Sequence, residues 1–189
     1  MKLSQVAGTV MNKVKSNEVL RKNIESASAM VRISKGESEA RHMILRGRSV
    51  IVQDDAFKAY NAQYAMTGKN SFGEPIIVVE SNIHELEDNI IDFLIAHEEG
   101  HIALHKKELN NSFSSLARKI NALRGKDTKI ELEADEYAAD VIGYQNAIDA
   151  LREFSKVVTH DTDVSEINRR IDNLLAVRTN KHYTNKKER

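Results

Sequence analysis

The sequence predicts an α+β chain, mostly helical, with a small antiparallel sheet packed by one long helix. Three observations predict it. Apolar residues recur every three or four positions along several long stretches. Only two stretches, 43–53 and 76–79, carry runs of branched apolar residues of strand type. Between the periodic stretches fall Gly36, Gly68, Gly73, Gly125 and the single proline, Pro75. With 189 residues, 41% hydrophobic and 30% charged, the chain has a globular balance and length enough for a core of its own.

Taken in order, residues 3–33 carry a helical stripe, Leu3, Val6, Val10, Val14, then Leu20, Ile24, Ala27 and Val31, with Gly8 and Ser16-Asn17 as interruptions. The plain expectation is a packing helix or helical pair. The sharper one is a partner-binding or membrane-surface arm, favoured by Lys2, Lys13, Lys15, Arg21 and Lys22 and opposed by Glu18 and Glu25. Residues 43–53 read as a hairpin or bulged strand around Gly47, followed by a short helix over 54–66 and a loop over 68–75. Ile76-Ile77-Val78-Val79 reads as a strand. Ser81 or Asn82 is placed to cap a helix over 85–107. Helices follow near 115–123, then from Thr128, whose hydroxyl forms a capping-box pattern with Glu131, to Tyr144, and over 145–158 and 164–177. The organisation expected is an N-terminal helical segment (1–40), a site-bearing domain (41–178) and a flexible basic tail (179–189).

Composition excludes several classes of function. With 28 basic and 28 acidic residues the net charge is zero, so no global field draws the chain to nucleic acid, and no nucleic-acid partner is expected. The absence of cysteine excludes disulfides, thiolate metal sites and a cysteine nucleophile. Any transition metal must be held by His, Asp or Glu. No apolar leader follows Met1, and the richest apolar run, 90–96, contains Asp92 and is far too short for a membrane span. The expectation is a cytoplasmic protein.

The chemistry centres on His97-Glu98-Glu99-Gly100-His101. Residues four apart share one helix face, about 6 Å along the axis. Two imidazoles so placed can converge on one zinc ion. Glu98, rotated off that face but beside it, is placed as general base for a zinc-bound water. A third protein ligand is needed. His105 lies on the same helix about 12 Å along the axis from His97, too far to share the ion, and is expected to pack or to support. Glu131 is the better third ligand. It lies in Glu131-Leu132-Glu133-Ala134-Asp135-Glu136-Tyr137-Ala138, where Glu131 and Asp135 again share a face and Glu133 points away. Asp135 is expected to accept a hydrogen bond from the free ring nitrogen of His97 or His101 and fix its tautomer. Small Ala134 and Ala138 allow the two helices to approach. The plain alternative is an acidic helix with a solvated face.

These two segments together resemble the gluzincin zinc metallopeptidases in their minimal, soluble form. His97 to His105 is similar to the active helix of the ImmA/IrrE family, as is the entering strand 76–82. Glu131-x-x-Ala134-Asp135-x-Tyr137-Ala138 is similar to both that family and the M48-type peptidases, and residues 143–151 lean toward the latter. The likeness covers 75–151. It implies a zincin-like domain in which His97, His101 and Glu131 hold zinc, Glu98 activates the attacking water, and a protein or peptide substrate pairs with the edge of strand 76–79. It also implies a further transition-state stabiliser, for which Tyr144, His160 and His84 stand open. The function expected is an endopeptidase acting on intracellular proteins. The alternative is a metal-binding interaction module that holds a regulatory partner without cleaving it.

Overall fold

The computed structural model describes residues 18–60, 64–70, 72–105, 126–157 and 161–187. The readings at 3–17, around 115–123 and at Gly125 lie outside the described residues. Six helices and four strands are described. In order they are α1 (Glu18–Lys35), β1 (Arg41–Leu45), β2 (Arg48–Val52), α2 (Asp54–Tyr60), β3 (Ala65–Lys69), β4 (Pro75–Val79), a 3₁₀ turn (Ile83–Glu85), α3 (Asp88–Leu104), α4 (Lys126–Ile142), α5 (Tyr144–Val157) and α6 (Asp161–Lys187). The α+β expectation holds, with helix dominant and one small sheet.

The sheet is mixed rather than antiparallel, in the order β1-β2-β4-β3. β1 and β2 form the hairpin that the sequence predicts, turning through Arg46 (φ 51°) and Gly47 (φ 75°). Two successive positive φ values are what a tight two-residue hairpin turn of this hand requires. β4 runs parallel to β2, Val50 to Val52 facing Ile77 to Val79. On its other side β4 pairs antiparallel with β3, Thr67 facing Ile77 and Gly68 facing Ile76. β3 is a strand where the sequence predicts a helix end and a loop. A Cβ at Gly68 would sit 3.1 Å from the Val78 side chain, so the glycine permits this close strand pair.

α3 is the central element, and both of its sides are apolar. Ile91 and Ile95 pack on Val50, Val52, Ile77, Val79 and Ile83, the inner face of the sheet. Phe93 and Ala96 face the other way, into a helical core with Ala138 and Ala139 of α4, Ala147, Ile148 and Leu151 of α5, and Ile167, Ile171 and Leu174 of α6. The opposite face of the sheet is closed by Ala56 and Phe57 of α2 against Met66 and Val78. Alternation along β4 directs Ile77 and Val79 to α3 and Val78 to α2. Truncating a fully buried member such as Leu151 to alanine would cost about 2–5 kcal/mol.

Several boundaries differ from expectation for local reasons. α3 starts at Asp88 with no side-chain cap, because the Ser81 hydroxyl is taken by Asp54 Oδ2 at 2.8 Å and Asn82 opens the 3₁₀ turn instead. α4 already includes Lys126, so Thr128 lies inside the helix rather than at its cap. Gly143 (φ 93°) ends α4, its N–H donating to Ala139 O at 2.9 Å, and turns the chain into α5. α6 runs on to Lys187, well past the predicted end at 177. α1 packs on α2 with the face opposite to the one its stripe predicts. Ala29 is fully buried, the Ser26 hydroxyl donates to Ala59 O at 2.7 Å, and Arg32 grips Asp55 at 2.8 and 2.5 Å. Ile24, Ala27 and Val31 face outward. No helix among the described residues is long and apolar enough to cross a membrane.

Candidate metal centre

The site lies where α3 and α4 cross. The crossing is close because Gly100 has no side chain. A Cβ there would meet Ala134 Cα and Ala134 O at 3.0 Å and Tyr137 Cβ at 3.1 Å. His97 and His101 flank this contact one turn apart, and Glu131 and Asp135 face them from α4.

Three donor groups converge. His97 Nε2 and His101 Nε2 stand 3.0 Å apart. The Glu131 carboxylate reaches both, with Oε2 3.2 Å from His97 Nε2 and Oε1 3.5 Å from His101 Nε2. His97, Glu98 and His101 form a group able to hold a metal ion, their ligand atoms all lying within 4.8 Å of one another. His97 and Glu98 are buried, while Glu131 is 38% exposed, which leaves the centre one open side.

Glu98 is held from the sheet. The Thr67 hydroxyl of β3 donates to Glu98 Oε2 at 2.7 Å and lies 3.2 Å from the Glu98 carbonyl. A carboxylate fixed by one oxygen keeps the other available to a water beside the imidazoles. The Thr67 contact was not legible in the sequence, where residue 67 fell at a helix–loop border.

Behind His97 stands a buried charge relay. Its Nδ1–H donates to Asp135 Oδ1 at 2.8 Å, as the sequence predicts for one of the two histidines. Asp135 is fully buried and also receives Arg170 Nε at 2.7 Å and Nη2 at 2.5 Å. Arg170 comes from α6 and lies 5.9 Å over the Phe93 ring. Like Thr67, it is a residue that sequence reasoning missed. The available signal was its place on the buried stripe of α6, three residues after Ile167 and four before Leu174, where a lone arginine needs a buried acid.

This setting shifts the charges. Burial opposes a charged His97, but the hydrogen bonds to Asp135 and Glu131 outweigh it and raise its pKa to about 10. Burial and the neighbouring His97 charge both lower His101. Burial works against ionised Glu131 and Asp135, yet the His97 hydrogen bond to Glu131 and the Arg170 charge beside Asp135 hold both below the usual carboxylate range. Metal binding at this centre must displace the His97 proton.

The remaining sequence candidates are elsewhere. His105 is buried at the end of α3, its N–H donating to His101 O at 3.0 Å and its Nε2 lying 3.5 Å from Glu133. That agrees with a supporting place for His105 and with Glu133 pointing away from Glu131. His84 is exposed in the 3₁₀ turn that precedes α3, outside the helix that carries His97 and His101. Tyr144 opens α5 and packs against the helical core, past the far end of α4 from Glu131. His160 lies outside the described residues. Glu99 pairs with Arg48 at the start of β2, and Arg46 of the hairpin turn pairs with Asp88 and Asp92. The hairpin is thus clamped along the polar side of α3.

No family model, no curated protein and no solved structure matches the chain.

Proposed function

We propose that the chain is a zinc-dependent endopeptidase of gluzincin type, with His97, His101 and Glu131 as metal ligands and Glu98 as general base. The observation that carries this reading is the convergence of three donor groups at 3.0, 3.2 and 3.5 Å with a fourth, buried carboxylate alongside. A tetrahedral ion bonded at about 2.0–2.1 Å sets its donors about 3.3 Å apart, so these edges suit zinc with two imidazoles and one carboxylate. The donor set is also the one left open by a chain without cysteine.

Zinc bound here would supply Lewis acidity, polarising a carbonyl and acidifying a water. The chain's own residues do the rest. Glu98, steadied by Thr67, takes the proton of the attacking water and passes it to the leaving amine. Asp135, itself gripped by Arg170, keeps the His97 proton on Nδ1 so that Nε2 faces the ligand position. The substrate edge is β3. β4, expected from sequence to offer its edge, is paired on both sides by β2 and β3. Among the described residues β3 is an outer strand, and its Thr67 touches Glu98. An extended peptide adding to that edge passes beside the general base. The rival reading, a module that binds metal and a partner without cutting, has no use for a buried base held by its own hydrogen bond.

The test is cleavage of a random-sequence peptide pool by the zinc-loaded chain, with products read by mass spectrometry. Wild type should cut, and Glu98→Gln should keep its zinc and lose at least about a hundredfold in rate. Equal cleavage by Glu98→Gln would remove the mechanism. Zinc binding with no cleavage by wild type would favour the binding module.

A further inference from the structure

Tyr64 holds a backbone conformation that a bulky side chain seldom takes, with φ at 62°. Glu80 fixes it there. The Tyr64 N–H donates to Glu80 Oε2 at 2.7 Å, and the Glu80 N–H donates to Tyr64 O at 2.9 Å. Glycine or asparagine would take this conformation more readily. The tyrosine ring meets Phe154 of α5 edge-on, with centroids 5.7 Å apart. Both rings are half-buried, so each keeps some surface open.

The place of this pair follows from the packing of α3. One side of α3 meets the sheet through Ile91 and Ile95, and another meets the helices through Phe93 and Ala96. Two stripes remain between those sides. One carries Asp88, Asp92 and Glu99 and is clamped by the β1–β2 hairpin. The other carries Ile90, Leu94, His97, Glu98 and His101, and β3 flanks it through Thr67. A ring from the start of β3 that meets a ring from α5 therefore crosses this second stripe. Ala65 pairs with Val79, the end of β4 from which the chain turns into α3, so β3 and α3 start at the same end. Tyr64 precedes Thr67 by three residues, about 10 Å of extended chain. The bridge of two rings thus lies over Ile90 and Leu94, which are buried yet belong to none of the three apolar clusters described above.

The bridge closes one end of the cleft that holds the two imidazoles. Toward the other end Ala103 and Leu104 are exposed. Leu94 lies one turn, about 6 Å, before Glu98 on the same face. Ile90, Leu94 and the two rings carry no charge, so an ionised substrate side chain set against them would give up water without gaining a partner. An extended peptide on the β3 edge advances about 3.3 Å per residue and reaches the bridge within about three residues of Glu98. We infer that Tyr64 and Phe154 set the substrate preference: the site takes peptides with a large apolar side chain within about three residues of the cleaved bond, on the side toward the start of β3. This rests on the proposed peptidase reading and names the substrate class for it. A pair that only stapled β3 to α5 would leave the choice of substrate unchanged.

The test uses the full zinc-loaded chain and a random-sequence peptide pool. Wild-type cleavage sites should be enriched in Leu, Met, Phe or Tyr at one position within about three residues of the cut, on one side only. Two peptides that differ only there, Leu against Ala, are then compared. Tyr64→Asn installs a residue that accepts a positive φ, and Phe154→Ala removes the opposing ring. Each should bring the Leu-over-Ala ratio of cleavage rates about tenfold or more below wild type, with zinc content unchanged. A ratio taken within one sample does not depend on how much of the protein is folded. Cleavage with no apolar preference near the cut, or a ratio that both variants leave unchanged, would overturn the inference and leave the peptidase reading standing. If zinc-loaded wild type cuts nothing, the peptides that the immobilised chain retains from the same pool decide. Enrichment in large apolar residues that both variants abolish would keep the subsite and remove the peptidase reading. Retention without that enrichment, or no retention, would overturn the inference as well.

Discussion

Among single residues, local geometry sets part of the centre and tertiary packing the rest. His97 and His101 were legible because four residues on a helix always share a face. Glu131 and Asp135 were legible for the same reason, once one carboxylate was required to complete a set of donors. Arg170 and Thr67 were not, because each reaches its partner across more than thirty residues, Arg170 to Asp135 and Thr67 to Glu98. Such contacts come from tertiary packing, and no local spacing encodes them. Arg170 gives the sharper prediction. Arg170→Met keeps the bulk under Phe93 but strips the buried Asp135 of its cation. Stability in urea should fall by about 3–5 kcal/mol. Zinc affinity, read by competition with a chromogenic chelator, should weaken by about 10–100-fold as the His97 ring loses its fixed orientation. An Arg170→Met protein with unchanged affinity would show that Asp135 orients the imidazole without help.

Among elements, the crossing of α3 and α4 decides whether the donors meet. It rests on Gly100 against Ala134, where the obstacles to a Cβ are backbone atoms that cannot rotate away. Gly100→Ala should therefore push the helices apart, cost about 1–3 kcal/mol in thermal or denaturant unfolding, and lower zinc occupancy with no ligand changed. Full occupancy with native stability would mean that the helices absorb the methyl group elsewhere. The long elements here were legible from periodicity: the apolar run of α3, the stripe of α5 and the branched run of β4. β3 was not. Ala65-Met66-Thr67-Gly68-Lys69 has little intrinsic strand preference and exists because β4 pairs with it. Missing β3 also hid the sheet order. With three strands in view an antiparallel sheet was the natural expectation, and only a fourth strand at the far edge sets β4 parallel to β2. The same omission left β4 with a free edge in the expectation, an edge that β3 occupies.

For the whole molecule, α1 is joined to the body through α2, and the Arg32–Asp55 pair is the main polar tie between them. The hydrogen bond from Arg32 holds the Asp55 pKa below its ordinary value of 3.8 against the opposing effect of burial. A carboxyl lowered in the folded state stabilises above its unfolded pKa, and that stability is lost as pH falls through the lowered value. Urea midpoints should accordingly drop in acid more steeply for wild type than for Asp55→Asn, and the two curves should meet at the lowest pH. Parallel curves would show that the pair contributes no linkage. The stripe of α1 was legible as a stripe, but its direction was not. Which face of an amphipathic helix meets its own domain is chosen by pairs such as Arg32–Asp55, which the helix alone does not reveal.

In the proposed function four side chains from α3 and α4 hold and use one zinc ion. The decisive measurement is metal content per chain, by mass spectrometry on protein purified without chelators or a histidine tag. About one zinc per chain is expected in wild type and in Glu98→Gln, and almost none in His101→Ala. Wild-type protein that carries no metal and takes up none from added zinc would contradict it. So would His101→Ala protein that still holds a full complement.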